Sequence, residues 1–238
     1  MGGYSERHAE VYEDVLTDRG KDWAAEAALV ARLVREVCPD AASLLDVACG
    51  TGAHLASFRA EFGDVAGVDA SHAMLGRAAA RLPGVPLAVG DMRDFTLGRT
   101  FDVATCLCFA IAYMPGTAEL ERAIGRMAAH VRPGGVLVVE PWWFPERALD
   151  THVAGHVLRE PDRVVSRVTR SVRDGRVTRM EVRIVVAEPS GVRGFTEFEV
   201  VSLFTPDEYL TAFRAAGCTP RFRPDEPNGR GLFIATRD

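Results

Sequence analysis

Leu44-Leu45-Asp46-Val47-Ala48-Cys49-Gly50-Thr51-Gly52 is the stretch on which the fold turns. Ser43 to Val47 is a short and nearly continuous apolar run, the pattern of a strand buried on both faces. Asp46 stands near its carboxyl end. Gly50 and Gly52 then allow a loop to approach a ligand without side-chain obstruction before a helix begins at Ala53. Strand, glycine loop and helix N-terminus in that order make a nucleotide cradle. The dinucleotide fingerprint is absent, because Ala53-His54-Leu55 follows Gly52 with no third glycine, and this weakens an NAD-linked reading.

Outward from this loop the chain keeps one rhythm. Apolar residues at helical spacing from Asp22 to Val37, stopped by Pro39, predict a helix leading into the first strand. Strands are expected at Val65 to Val68, Leu87 to Val89, Phe101 to Cys106 and Val136 to Glu140. Helices are expected at Ala53 to Phe62, Ser71 to Arg81 and Ala118 to His130. Repeated βα units with apolar strands imply a parallel sheet covered on both faces. After Pro141 the pattern changes to alternation. Arg163 to Arg173, Val177 to Ala187 and Phe195 to Phe204 predict three antiparallel strands, the first two joined by a hairpin at Asp174-Gly175. Thr205-Pro206, with Glu208 three residues after the threonine, opens a last helix that Gly217 ends. Thr219 to Arg223 and Gly231 to Thr236 predict a closing hairpin.

Composition narrows the function classes. In 238 residues, 47% are hydrophobic and 26% charged, which suits a folded α/β body and excludes a disordered chain. No apolar run approaches the roughly 20 residues needed to cross a bilayer, and Met1 to His8 lacks the features of a signal peptide, so a cytoplasmic chain is expected. Five cysteines without a Cys-x-x-Cys pair indicate neither a disulfide framework nor a zinc ribbon. Cys106 and Cys108 alternate along an expected strand, which points to a buried structural role. The histidines show no metal-ligand spacing, and no metal is expected. A net charge of -5 argues against nucleic acid as a partner. Arginines recur from Arg159 to Arg193, mostly as a solvated face, with a local anionic ligand still open.

Two more acids sit where nucleoside chemistry needs them. Asp69 ends the second strand, where a carboxylate can accept both ribose hydroxyls. Asp91-Met92 ends the third, placing a carboxylate for an exocyclic amine and a flexible apolar side chain over adenine. With Asp46, Gly50 and Gly52, these make one adenosyl pocket.

The order of these pieces, closed by Val131-Arg132-Pro133-Gly134-Gly135, resembles the class I S-adenosylmethionine-dependent methyltransferases. Nearly the whole chain resembles the N,N-dimethyltransferases that act on dTDP-linked amino deoxysugars in antibiotic pathways of the desosamine and mycaminose type. The specific carriers are Arg19-Gly20-Lys21-Asp22-Trp23, Gly90-Asp91-Met92-Arg93-Asp94-Phe95, Val139-Glu140-Pro141-Trp142-Trp143-Phe144-Pro145-Glu146 and Gly229-Arg230-Gly231-Leu232-Phe233. The resemblance implies a Rossmann-like fold: a mostly parallel seven-stranded sheet with a C-terminal antiparallel hairpin and an inserted antiparallel three-stranded sheet. It implies S-adenosyl-L-methionine as cofactor and a homodimer. Trp23 would lie beside the cofactor, with Ala48, Ala70, Met74 and Cys106 completing its site. Tyr12 would approach the sugar or its amine, and Arg230 would contact the nucleotide diphosphate. A phenol can hydrogen-bond an amine, and a guanidinium can hold phosphate oxygens in a fork.

One departure bears on the acceptor. After the fourth strand, where the family carries a histidine, this chain has Ala110-Ile111-Ala112-Tyr113-Met114. Tyr113 is expected to orient the amine through its hydroxyl, but with an ordinary pKa near 10 it is a poor base at neutral pH. Trp142 and Trp143 would flank a sugar or thymine ring, and Ser166 would add a contact from the inserted sheet. Residues 1–141 are expected to form the cofactor-binding core with an N-terminal helical cap. Residues 142–204 form the inserted sheet, for acceptor binding or dimerisation, and 205–238 the last helix and closing hairpin. Methylation of another small amine or a sugar hydroxyl, an adenosyl-binding module without catalysis, and a nucleotide-dependent oxidoreductase are the competing readings. The residues leave open which sugar carbon bears the amine.

Overall fold

A computed structural model describes residues 5–238. Met1 to Tyr4, the start of the expected core, lie outside the described residues. Two helices open the chain, α1 (Glu6–Asp18) and α2 (Trp23–Arg35). Each begins on a side-chain cap, since Ser5 accepts from the backbone N–H of His8 and Asp22 from that of Ala25. Then come β1 (Ser43–Val47), α3 (Ala53–Glu61), β2 (Asp64–Asp69), α4 (His72–Arg81), β3 (Leu87–Val89) and β4 (Phe101–Cys106). A 3-10 turn (Ala110–Tyr113), α5 (Thr117–Ala129) and β5 (Val131–Val139) complete the parallel part.

These strands and the C-terminal pair, β10 (Cys218–Arg223) and β11 (Leu232–Arg237), form a seven-stranded sheet in the order β10-β11-β5-β4-β1-β2-β3. β11 runs antiparallel to β5 and β10 antiparallel to β11, and the other pairings are parallel. The sheet agrees with the expected fold. Its centre is dry for the reason the sequence supplies: Leu44, Leu45 and Val47 are wholly buried, each worth about 1.5–3 kcal/mol relative to an exposed side chain. α5 covers one face with Leu120, Ala123, Ile124 and Met127, at the i, i+3, i+4, i+7 spacing of a core-facing stripe.

The inserted sheet has four strands, where alternation predicted three. β6 (Thr151–Glu160), β7 (Arg163–Asp174), β8 (Val177–Glu188) and β9 (Gly191–Ser202) pair antiparallel in sequence order. β6 escapes a hydrophobicity pattern because His152 and His156 lie on one face and Gly155 on the other. One face of this sheet packs on α1 and the 3-10 turn through Val11, Val15, Ala112, Leu158, Val165, Val182 and Val201. The last helix, α6 (Pro206–Ala215), carries the expected capping box between Thr205 and Glu208. Among the described residues, no helix is long and apolar enough to cross a membrane.

Candidate active site

The glycine loop is shaped by backbone that few residues tolerate. Gly52 has φ +75°, and a Cβ there would lie 3.0 Å from Cδ1 of Leu82 and 3.2 Å from Cβ of Ala78, so the loop lies close on α4. Ala48 takes φ 59° without glycine's freedom, a strain of the kind that collects at ligand sites. Asp69 holds the loop: its Oδ2 accepts from the N–H of Gly50 at 2.8 Å and its Oδ1 from that of Ser71 at 2.7 Å. Burial lifts its carboxyl above the usual range, and these backbone N–H groups oppose the rise.

Asp46 is 3% exposed and accepts from Oγ1 of Thr105 at 2.8 Å. Burial pushes it up to about 6, against the His54 charge and the Thr105 hydroxyl. Asp91 is engaged by its own neighbour, accepting at Oδ1 from N and Nε of Arg93 and at Oδ2 from Nη2. Met92 packs half-buried against the core beside it, and Ala70 is exposed at the end of β2. Trp23 donates to Thr17 at 3.0 Å and meets the His54 ring edge-on, with ring centres 4.8 Å apart.

Two of the expected cofactor residues lie elsewhere. Cys106 is wholly buried with its side chain in the core, because β4 turns Thr105 toward Asp46 and Cys106 to the other face. Met74 is 1% exposed on the packed face of α4. Neither side chain has a surface to offer a ligand.

Beneath the inserted sheet lies a cleft of about 660 Å³. Tyr12, Trp142, Trp143 and Arg230 all line it. Tyr12 and Cys108 also line the smaller pocket against Asp46, Ala48 and Gly50, so the two spaces meet there. Arg230 is held by Glu140, a fully buried acid, and its guanidinium lies 5.3 to 5.8 Å from the ring centres of Phe109, Trp142 and Trp143. Its Nε is buried without a hydrogen-bond partner among the described residues. Glu140 also accepts from the N–H of Cys108 at 2.7 Å, fixing a turn in which Cys108 and Phe109 both take positive φ, 51° and 50°.

Ser166 and Tyr113 depart from their expected places. On β7 the cleft takes Arg167, Thr169 and Ser171, so the alternation of the strand turns Ser166 to the opposite face, beside Val157 and Val185. Tyr113 is absent from the cleft wall. Its hydroxyl donates at 2.8 Å to Oε2 of Glu199, and it is Glu199 that lines the cleft.

Sequence reasoning also missed a buried polar knot between loop and cleft. Glu26, 7% exposed on α2, accepts from Nζ of Lys21 at 2.5 Å, Nε2 of His54 at 2.9 Å and Nδ2 of Asn228 at 3.2 Å. It thereby ties the segment before α2, the start of α3 and the β10–β11 loop together. Burial would lift Glu26, but His54 and Lys21 outweigh it and hold it at about 2. Burial would likewise lower His54, and its hydrogen bonds to Cys108 and Glu26 raise it instead to about 9. Glu26 falls among the alanines of α2 with no motif around it, and His54 carries no spacing that marks it out. Among the described residues there is no cluster of three side chains fit to hold a metal ion.

This geometry has close parallels. A methyltransferase-domain family profile matches residues 44–135. The chain is 54% identical to the dTDP-4-amino-2,3,4,6-tetradeoxy-D-glucose N,N-dimethyltransferase of Saccharopolyspora spinosa, over 99% of this chain and 94% of that protein. It is 50% identical to the dTDP-3-amino-3,4,6-trideoxy-alpha-D-glucopyranose N,N-dimethyltransferase of Streptomyces venezuelae, over 97% of this chain and 98% of that protein. Among solved structures it resembles CalS10, an amino pentose methyltransferase of Micromonospora echinaspora bound to S-adenosylmethionine. The TM-score is 0.89 and the identity 52%, over 96% of this chain and 97% of that one. Streptomyces venezuelae DesVI superposes with a TM-score of 0.94 at 49% identity, over 99% of this chain and all of that one. With its glycine loop, its acids at successive strand ends and end-to-end identity of this order, the chain belongs to the class I S-adenosylmethionine-dependent methyltransferases, in the family of dTDP-aminosugar N,N-dimethyltransferases.

Proposed function

We propose that this protein transfers methyl groups from S-adenosyl-L-methionine to the amine of a dTDP-linked amino deoxysugar, twice, in the making of an antibiotic sugar. The observation that carries the acceptor is the cleft itself: a caged arginine with an unsatisfied buried Nε, two tryptophans and Tyr12, opening onto the glycine loop. The cofactor's sulfonium supplies an already activated methyl group. The chain's own work is therefore positioning, which can supply several powers of ten in rate. Gly50 and Gly52 admit the adenosyl group, Asp69 serves the ribose hydroxyls, and Asp91 and Met92 serve the adenine after Arg93 yields. Arg230 takes a diphosphate oxygen in place of its missing partner. Trp142 and Trp143 wall the sugar or thymine, and Tyr12 stands at the junction where amine and methyl group meet.

The three-part division at 141 and 204 belongs to this reading. The core binds the cofactor, the insertion covers the acceptor on its inner face, and the closing hairpin delivers Arg230. The outer face of the insertion exposes Val153, Val168, Phe198 and Val200, at 70, 57, 76 and 42%. Set beside Arg170, Arg179, Glu181 and Arg183, these side chains give that face apolar and ion-pairing groups to offer a second copy. A homodimer is thus part of the proposal, and Phe198→Glu should convert it to monomer in light scattering. Five free thiols, Cys38, Cys49, Cys106, Cys108 and Cys218, suit a cytoplasmic, reducing setting.

Mass spectrometry tests the activity. Purified protein with S-adenosylmethionine and dTDP-3-amino or dTDP-4-amino deoxysugars should add one and then two methyl groups to one of them. Cofactor binding without a mass gain on any amino sugar would instead favour a module that does not catalyse.

A further inference from the structure

The acceptor cleft is bipolar. Among the described residues that line it, Arg19, Lys21, Arg147, Arg167 and Arg230 are basic, and Glu199 is the one acid. A nucleotide diphosphate accounts for cations. It gives the carboxylate no role toward the ligand: beside Arg167 its charge is met within the protein, and only a ligand that also carries positive charge would engage it. Glu199 projects from the inner face of β9, across from Met180 of β8. Its Oε2 is fixed by the Tyr113 hydroxyl at 2.8 Å, and Ser202 further along β9 anchors the same 3-10 region by donating to the carbonyl of Met114 at 2.7 Å. The carboxylate is thus held from behind by a tyrosine that does not itself reach the cleft.

On the reading of the acceptor given above, we propose that Glu199 is the catalytic anchor and proton acceptor for the sugar's amine, and that Tyr113 is its positioning residue. The amine arrives as an ammonium and gives one N–H proton to the Glu199 carboxylate, which frees the nitrogen lone pair. The lone pair forms the N–C bond to the methyl carbon as the C–S bond breaks, and that bond's electrons stay on sulfur. Glu199 passes its proton to water and is then ready to take one from the monomethyl ammonium before the second transfer. Each methyl group gained releases one proton.

The groups around Glu199 suit the task. Burial raises its carboxyl above the usual range, opposed by the Tyr113 hydroxyl from the 3-10 turn and by Arg167 from β7. Glu197 on its own strand adds to the rise. His8, from α1 on the same cleft, is held at about 4 by burial and by Arg167, and so is neutral at pH 7 and does not compete as a cation. A carboxyl raised in this way takes a proton from an ammonium more readily than an ordinary one, and gives it up less readily.

Glu199→Gln keeps the shape and an acceptor for Tyr113 while removing the charge. At pH 7 it should lower kcat/KM for the amino sugar about 100-fold. Affinity for S-adenosylmethionine by calorimetry should not change, and the loss should shrink as pH rises and the amine arrives already neutral. Tyr113→Phe should move the acidic limb of the wild-type pH–rate profile upward, because a bond that lowers the Glu199 pKa is gone; a purely structural tyrosine would leave that limb in place. A Glu199→Gln enzyme with the wild-type rate and pH profile overturns the assignment while leaving the function standing, and a wild-type enzyme that methylates no dTDP-amino sugar defeats both. Should the variant fold poorly, the wild type still decides. It should bind a dTDP-amino sugar at least about tenfold tighter than the sugar with hydroxyl at the same carbon, a margin of about 1.4 kcal/mol, and equal binding overturns the proposal.

Discussion

The glycine-loop edge of the parallel sheet, where we place the cofactor, and the cleft under the inserted sheet, where we place the acceptor, are built on opposite plans. At the glycine-loop edge each acid of the proposed cofactor site lies within a residue or two of a strand's carboxyl end: Asp46 in β1, Asp69 at the end of β2, Asp91 just past β3. At the cleft the groups that line it together come from α1, β9 and the β10–β11 loop, as Tyr12, Glu199 and Arg230. The first plan ties function to local sequence. The second ties it to the packing of distant segments, and so leaves room for a different acceptor without disturbing the donor site.

That contrast can be broken at several points. The largest effect is expected at the knot joining the two regions. Glu26→Ala strands Lys21 and His54 without their carboxylate, and should cost about 3–5 kcal/mol in urea unfolding. If the loss were within 1 kcal/mol, roughly the worth of an exposed ion pair, the knot would not join the regions energetically.

His54 sharpens the same point through pH. Its folded pKa of about 9 stands above the unfolded value of 6.5, so its contribution is full below pH 6.5 and lost as pH rises through 9. A shift of that size corresponds to on the order of 3 kcal/mol. Thermal melts of the wild type should fall across this window, and His54→Gln should flatten the fall. A variant curve parallel to the wild type would remove His54 from the account.

At the glycine-loop edge alone, Asp69→Ala removes the carboxylate that holds the N–H groups of Gly50 and Ser71, and with it the ribose acceptor we propose. Loss of charge-assisted hydrogen bonds worth about 1.5–3 kcal/mol should weaken S-adenosylmethionine binding roughly 10- to 100-fold in calorimetry, with nucleotide-sugar binding intact. Equal loss of both ligands would show that the two regions are not separable. The smallest effect is expected for Tyr113→Phe. Removing one hydrogen bond behind Glu199 should lower kcat by about tenfold or less, with cofactor affinity unchanged.

The same contrast governs what the sequence made legible. Strand and glycine loop from Leu44 to Gly52, the acids after β2 and β3, and the capping box at Thr205 are short-range patterns whose physics is complete within a few residues. Ser166 and Glu199 depend instead on which face of a strand turns inward, and alternation alone cannot say. β9 in particular turns Phe198 and Val200 outward and Glu197 and Glu199 inward, the reverse of the usual apolar-in arrangement. Tyr113 stands where the resemblance leads one to expect a histidine, but only the fold reveals that its hydroxyl is spent on Glu199. Alternation along β4 predicts a buried structural Cys106, and it is buried; the resemblance places it and Met74 at the cofactor, where neither has an exposed side chain to offer.

The most direct test is a crystal structure with S-adenosylhomocysteine and a dTDP-linked amino sugar bound together. The account predicts the adenosyl group along Asp46, Asp69 and Asp91, a diphosphate oxygen on Nε of Arg230, and the amine within hydrogen-bonding distance of Glu199 and facing the cofactor's sulfur. A nucleotide bound outside the cleft, or an amine turned away from Glu199, would contradict it.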